Sequence, residues 1–159
     1  MAISKKTCLI TGCSAGGVGA ALAEIFRDHD YHVFATARTT SKISSSLQNA
    51  PNVTVLALDV TSAESIAATL NLVQTQTTKL DVLINNAGLG LRMPGLDTSL
   101  EEAKNLFDAN FFAAFAMMQA FAPLLIEARG CLVNNSSITG ALPFPFTSAL
   151  PAGRKRWEM

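Results

Sequence analysis

The stretch Thr11-Gly12-Cys13-Ser14-Ala15-Gly16-Gly17-Val18-Gly19 has the composition of a phosphate cradle. It follows a short apolar run, Thr7-Cys8-Leu9-Ile10, and precedes a pattern that puts Val18, Leu22, Ile25 and Phe26 on one helical face. Strand, glycine-rich turn and helix in that order make a site for a dinucleotide. Glycines let the backbone approach a pyrophosphate closely. The helix N-terminus adds free N–H groups and the positive end of a dipole. Taken alone, such a turn is also a tight loop; the strand before it and the helix after it favour the nucleotide. Gly12, Ser14, Gly17, Val18 and Gly19 are the candidate contacts.

A second position bears on which nucleotide. The run Tyr31-His32-Val33-Phe34-Ala35-Thr36-Ala37 reads as a strand and ends at Arg38. An NAD site wants an acid there for the ribose hydroxyls. A guanidinium instead can pair with a 2′-phosphate. Arg38 therefore points to NADP(H), against the plainer reading of a solvated arginine at a strand end. Further along, Asp59 ends a third strand. Asn85-Asn86-Ala87-Gly88 closes a fourth, and Asn134-Asn135-Ser136-Ser137 closes a fifth. Each also reads as a polar turn of the kind Asn, Ser and Gly favour.

The elements that must position these groups follow from periodicity. Strands are expected over residues 7–10, 31–37, 53–58, 80–84 and 131–137. Residues 39–51, rich in Ser and Thr, hold only a short helix. Thr61 with Glu64 forms a capping box for a helix whose buried stripe is Ile66, Leu70 and Val73. Ser99 with Glu102 caps a long helix that carries Phe107, Phe111, Phe115, Met118 and Phe121. Residues 111–126 of that helix are mostly apolar. They fall short of the ~20 residues a bilayer needs, with Gln119 and Pro123 interrupting, so burial in a core or an oligomer contact is expected.

Taken together, these motifs resemble the short-chain dehydrogenase/reductase family. The glycine turn is similar to that family's T-G-x-x-x-G-x-G with one residue added. That longer turn resembles the fungal NADPH-dependent 1-acyldihydroxyacetone-phosphate reductases. Asn85-Asn86-Ala87-Gly88 resembles its N-N-A-G signature, and residues 134–140 its N-x-S-S-x-x-G segment. The resemblance implies a doubly wound α/β fold of the Rossmann type, a parallel sheet in the order 3-2-1-4-5. It implies NADP as cofactor, held by the glycine-turn residues together with Arg38, Asp59, Asn86, Ala87 and Gly88. It implies that Ser137 orients a substrate carbonyl, that Asn110 holds a water in the proton relay, and that Asp59 lies near the adenine.

The resemblance stops after Ala149. Where the family carries Y-x-x-x-K, this chain has Leu150 and, four residues on, Arg154. Arginine keeps the charge but not the compact ammonium. The chain's one tyrosine is Tyr31. Pro151 and Gly153 oppose the helix that should carry the pair. The expected organisation is a nucleotide-binding domain over residues 1–149 and a divergent basic tail over 150–159, the fold being incomplete at its C-terminal side. The expected function is carbonyl–alcohol oxidoreduction on a small molecule, impaired by the missing pair. The alternative is a nucleotide-binding remnant without turnover, or a truncated gene product.

Composition bounds the rest. The formal net charge of the 159 residues is zero, which gives no bulk attraction for nucleic acid. Cys8, Cys13 and Cys131 are dispersed and odd in number. Cys8 and Cys131 lie in strands and are expected to be buried free thiols, as in a reducing compartment. No metal-ligand spacing is present, and His29 and His32 read as surface residues. The N-terminus lacks an apolar signal region. A cytoplasmic protein without an integral membrane segment is expected, with surface association to lipid droplets or endoplasmic reticulum implied by the resemblance alone. Self-association, or pairing with a full-length relative, would use the long apolar helix.

Overall fold

The computed structural model describes residues 3–140 and 145. The chain alternates strand and helix: β1 (Thr7–Ile10), α1 (Val18–Asp28), β2 (His32–Ala37), a 3-10 turn (Thr40–Lys42), α2 (Ser45–Gln48), β3 (Val53–Ala57), α3 (Ala63–Gln74) and β4 (Val82–Asn85). There follow α4 (Leu100–Phe107), a π-helical turn (Asp108–Phe112), α5 (Ala113–Ala128), β5 (Cys131–Asn134) and a closing 3-10 turn (Ile138–Gly140). The strands are all parallel, in the order β3-β2-β1-β4-β5. This is the doubly wound arrangement that the sequence implied. Its order reverses beside β1, where such sheets open a crevice at their C-terminal edge.

Alternation along β1 distributes the core to both faces. Leu9, opposite Phe34 of β2 and Leu83 of β4, joins Ile66 and Val73 of α3 and Met117 and Phe121 of α5. Cys8 and Ile10 point the other way, with Val33 and Ala35, toward Ala20 and Ala23 of α1 and Leu47 of α2. Both faces are covered, as parallel sheets require.

Helix α1 does not bury the stripe expected of it. Val18 is 60 % exposed and Ile25 53 % exposed; Leu22 and Phe26 are half-buried, and the sheet is met by Gly19, Ala20 and Ala23. Small residues win here because the helix lies close to β1. A Cβ on Gly19 would stand 2.4 Å from the Gly12 carbonyl oxygen.

Two further expectations change. The cap of α3 is Ser62, whose hydroxyl accepts from the Ser65 N–H, while the Thr61 hydroxyl turns back to the Asp59 carboxylate at 2.7 Å. Cys131 is exposed, because β5 has burial on alternate residues only and Cys131 sits on the open ones; Cys8 and Cys13 are both buried. The Ser99–Glu102 capping box is present as expected. The rod from Leu100 to Ala128 is long and apolar enough to cross a membrane by length and composition. Its inward residues Met117, Phe121, Leu124 and Leu125 are packed into the core instead, and Phe112 and Phe115 face outward. Of the positions expected from the sequence, Phe107, Phe111, Phe115, Met118 and Phe121, the last alone is fully buried, and Met117 rather than Met118 joins it.

Candidate functional site

The glycine turn leaves β1 with Gly12 and Gly16 both at φ +77°, a conformation that L side chains rarely adopt. Backbone bonds anchor it to its neighbours. Cys13 N–H donates to the Thr36 carbonyl at 2.8 Å, and Ala15 N–H to the Lys42 carbonyl at 2.8 Å. Helix α1 then starts at an N-cap, Gly17, with no side-chain cap and no acid in its first turn. Its free N–H groups and dipole are left for an anion.

Across the crevice, the Asn85–Gly88 turn is held by Thr11. The Thr11 hydroxyl oxygen accepts from the N–H groups of Asn86 and Ala87, each at 2.9 Å. Asn86 Nδ2 donates to the Thr11 and Gly12 carbonyls at 2.8 and 3.2 Å. Asn135 Nδ2 donates to Asn86 Oδ1 at 2.9 Å, and Asn85 Nδ2 to Asn134 Oδ1 at 2.9 Å. The two amide motifs thus tie the C-terminal ends of β1, β4 and β5 together. Asn85 Nδ2 also reaches the Ala114 carbonyl at 3.2 Å, linking the strands to α5. Asn85 Oδ1 is buried with no hydrogen-bond partner among the described residues, and Asn85 borders a small cavity shared with Asn110, Asn134 and Ser136.

Asn110 sits buried in the π-helical turn, a rare feature that often marks a functional position. Its Oδ1 accepts from the Leu89 N–H at 2.8 Å and its Nδ2 donates to the Leu89 carbonyl at 3.0 Å. The side chain therefore clamps the loop that follows Gly88. Ser137 lies beyond β5, and its Oγ accepts from the Thr139 hydroxyl at 2.9 Å. Ser136, rather than Ser137, borders the small cavity. Leu150, Arg154 and the basic tail lie outside the described residues.

An open groove of about 1210 Å³ runs along this edge. Gly12, Ser14, Gly17, Val18, Arg38, Asp59, Asn86, Ala87 and Gly88 all line it. Gly19 does not; it stands behind the cradle, its own lack of a side chain making room for the Gly12 carbonyl and Asn86 Nδ2. Arg38 is exposed at the end of β2 and makes no ion pair among the described residues. The Asp59 carboxyl is held below its usual pKa, chiefly by the hydrogen bonds from the Thr61 hydroxyl and N–H, with Arg38 adding a smaller pull. Burial pushes the Cys13 thiol up to about 12 and Cys8 higher still, so both are neutral at ordinary pH. No cluster able to hold a metal occurs among the described residues.

Sequence reasoning missed Lys42, Thr39 and Leu58 as groove residues, and Asn134 and Asn135 as braces. The signal for the asparagines was present in their sequence neighbourhood. Lys42 reaches the groove only through the tertiary bond to Ala15, which no local pattern announces.

A five-stranded parallel sheet, a glycine cradle at its switch point and amide-braced strand ends define a Rossmann-type protein. The model of the short chain dehydrogenase family matches residues 6–154, and the chain belongs to that family. It is similar to the short-chain dehydrogenase cctT of Talaromyces islandicus, 45 % identical over 150 residues, which are 94 % of this chain and 53 % of the relative. It is 36 % identical over 152 residues to the NADPH-dependent 1-acyldihydroxyacetone phosphate reductase of Schizosaccharomyces pombe, covering 95 % of this chain and 51 % of that one. The chain thus spans about half the length of the curated relatives it matches. Among solved structures, a short-chain dehydrogenase from Streptomyces avermitilis superposes with a TM-score of 0.87 at 31 % identity, over 96 % of this chain and 57 % of the other. A metagenomic short-chain oxidoreductase in complex with NADP superposes with a TM-score of 0.85 at 30 % identity, over 94 % and 70 % of the two chains.

Proposed function

We propose that this chain is the cofactor-binding part of an NADP(H)-dependent oxidoreductase that interconverts a carbonyl and an alcohol on a small molecule. The observation that carries the reading is Arg38: a guanidinium without an ion-pair partner among the described residues, lining the groove where an NAD site would place an acid. The cradle supports it, since a Cβ at Gly19 would intrude on the Gly12 carbonyl and one at Gly12 on the Ala87 backbone, so both positions keep the turn and the strand ends close together. The relative named as NADPH-dependent and the solved structure in complex with NADP are consistent with the choice.

When bound, the nicotinamide supplies a hydride. The chain's own groups hold and orient. Gly12, Ser14, Gly17 and Val18 take the pyrophosphate side, Arg38 the 2′-phosphate, Asp59 the adenine side, and Asn86, Ala87 and Gly88 the far ribose. Ser137 polarises the substrate carbonyl. Asn110, its side chain tied to Leu89, takes the place that holds a relay water.

The proton donor is what the sequence lacks, with Leu150 and Arg154 in the places of tyrosine and lysine. Losing a positioned general acid costs on the order of 10² to 10⁴ in rate. Leu150 favours a second reading, a nucleotide-binding module without turnover, alone or associated through the outward face of α5, where Phe115 is exposed.

Fluorescence titration of the purified chain with NADPH and NADH, with a carbonyl-reduction assay beside it, tests both readings. Tighter NADPH binding with negligible turnover is expected. Equal affinities would refute the cofactor choice, and robust turnover would show that another group donates the proton.

A further inference from the structure

Asn135 is the x of the N-x-S-S-x-x-G segment, two residues before Ser137, and the motif itself gives it no duty. In the structure its backbone and its side chain are both engaged across the strand ends. Its N–H donates to the Asn85 carbonyl at 2.9 Å, and its Nδ2 donates to Asn86 Oδ1 at 2.9 Å. The residue is half-buried and lines both the open groove and the small cavity.

The side chain it meets is the one that grips the glycine turn. Asn86 Nδ2 donates to the Thr11 and Gly12 carbonyls at 2.8 and 3.2 Å. An amide has an acceptor end and a donor end. With its donor end on two carbonyls, Asn86 turns its oxygen to Asn135, which supplies the matching donor. The reverse orientation would set oxygen against two carbonyl oxygens and one NH2 group against another. Asn135 therefore favours a single orientation of the Asn86 amide.

That orientation reaches the groove through the backbone. The peptide between Thr11 and Gly12 is planar and trans, so the Gly12 N–H points opposite to the Thr11 carbonyl that Asn86 holds. Gly12 lines the groove. The junction is also tight: a Cβ on Gly19 would stand 2.5 Å from Asn86 Nδ2, and one on Gly12 3.2 Å from it. A displaced Asn86 side chain moves the turn with it. Hydrogen bonds thus run unbroken from the end of β5 through Asn86 to the cradle.

We propose that Asn135 is a positioning residue: by holding the Asn86 amide in one orientation it aims the Gly12 peptide into the groove, and it ties the cradle to the segment that carries Ser137. The inference rests on the nucleotide-binding reading above and goes beyond it in naming what sets the shape of the cradle. The cradle serves the pyrophosphate, which NADPH and NADH share. Loss of the tie therefore weakens both alike and leaves the preference between them where it was.

The test titrates the full chain with NADPH and NADH, for the parent, Asn135→Leu, Asn86→Ala and the double variant. Leucine keeps the branched shape of asparagine and removes the donor. Asn135→Ala, which also lacks the donor and needs less room, is carried through the same measurements. The loss of one neutral hydrogen bond corresponds to about threefold to tenfold in affinity. Asn135→Leu is expected to show that loss for both cofactors, and to add less than about twofold once Asn86 is already alanine. Additive losses would mean that Asn135 acts on the cofactor without Asn86, and would overturn the proposal. If the parent binds and Asn135→Leu binds as tightly, the proposal falls while the nucleotide reading stands. A parent that binds neither cofactor removes both. Side-chain amide exchange, followed by 15N NMR on the chain without cofactor, gives a readout independent of binding. The Asn86 Nδ2 protons are expected to exchange faster in Asn135→Leu, with the backbone amides of β1 and β4 protected as in the parent. Unchanged exchange at Asn86 would overturn the proposal, and so would a uniform rise across both strands, which marks a general loss of stability.

Discussion

Gly19→Ala isolates the closeness of α1 to the strand ends, because two opposing terms can be separated. Gly19 is the second residue of α1, where alanine is intrinsically favoured over glycine by about 1 kcal/mol. In open space the substitution would stabilise the protein. Here the new methyl would stand 2.4 Å from the Gly12 carbonyl oxygen, 2.5 Å from Asn86 Nδ2 and 2.9 Å from the Gly12 carbonyl carbon. Two of those atoms are backbone and the third is held by the Thr11 and Gly12 carbonyls, so nothing yields cheaply. Overpacking of this kind costs about 1–3 kcal/mol. Against the propensity gain, a net loss of about 1 kcal/mol is expected, or about 2–4 °C in Tm for a chain of this size. Gly16→Ala is the matched comparison. Nothing lies within 4 Å of a Cβ there, and φ is +77°, so only backbone strain of about 1–2 kcal/mol applies. Gly16→Asn should recover part of that loss, since asparagine visits the left-handed region, whereas Gly19→Asn should not recover at all. Chemical denaturation followed by circular dichroism, with NADPH titration, reads both sites. A Gly19→Ala chain as stable as the parent would refute the steric argument.

Two other outcomes follow from the hydrogen bonds and titrating groups. Asn110→Ala removes both bonds to Leu89 from a buried position and should cost about 1–3 kcal/mol. Faster hydrogen exchange in the loop after Gly88 would accompany it, and unchanged exchange there would refute the clamp. His32, half-buried with its Nε2 2.8 Å from the Thr54 hydroxyl, has its pKa lowered by desolvation and then by Lys5. The unfolded chain then binds the proton more readily, so this contribution to stability is complete above about pH 6.5 and declines as pH falls through and below that value. Denaturant midpoints of the parent should fall across this acid window, and His32→Gln should flatten the slope; an unchanged slope would refute the assignment.

The order of the elements was legible because each strand of a parallel sheet is a short apolar run set off by helical periodicity, and the two amide motifs lie at strand ends. What failed to show was anything set by close approach in three dimensions. The apolar stripe of α1 was visible, yet Gly19, Ala20 and Ala23 meet the sheet, because clearance and not hydrophobicity decides which face turns inward. Thr61 and Ser62 are adjacent hydroxyls with equal capping chemistry. The Asp59 carboxylate takes the first and leaves the second as the cap. The π-helical turn at Asp108–Phe112 left no mark in the pattern; within it Asn110 is tied to a loop twenty-one residues away in sequence, a partner that no local window contains. Cys131 looked like a core residue by type; its place on a strand with alternate residues open decided otherwise.

The hydroxyl of Thr11 closes its bonds with amides 75 and 76 positions further along the chain. On a ribosome adding about 5–20 residues each second, that separation is a wait of about 4–15 s. Throughout it, the glycine turn has left the tunnel's exit schedule ahead of the segment that will hold it. Parallel pairing of β1 with β4 is non-local in the same way, and such contacts come late because loop closure precedes them. The brace that closes the groove is therefore complete only once β4 has docked, which makes the rise in ligand-dependent protection from protease a clock for the arrival of the fourth strand.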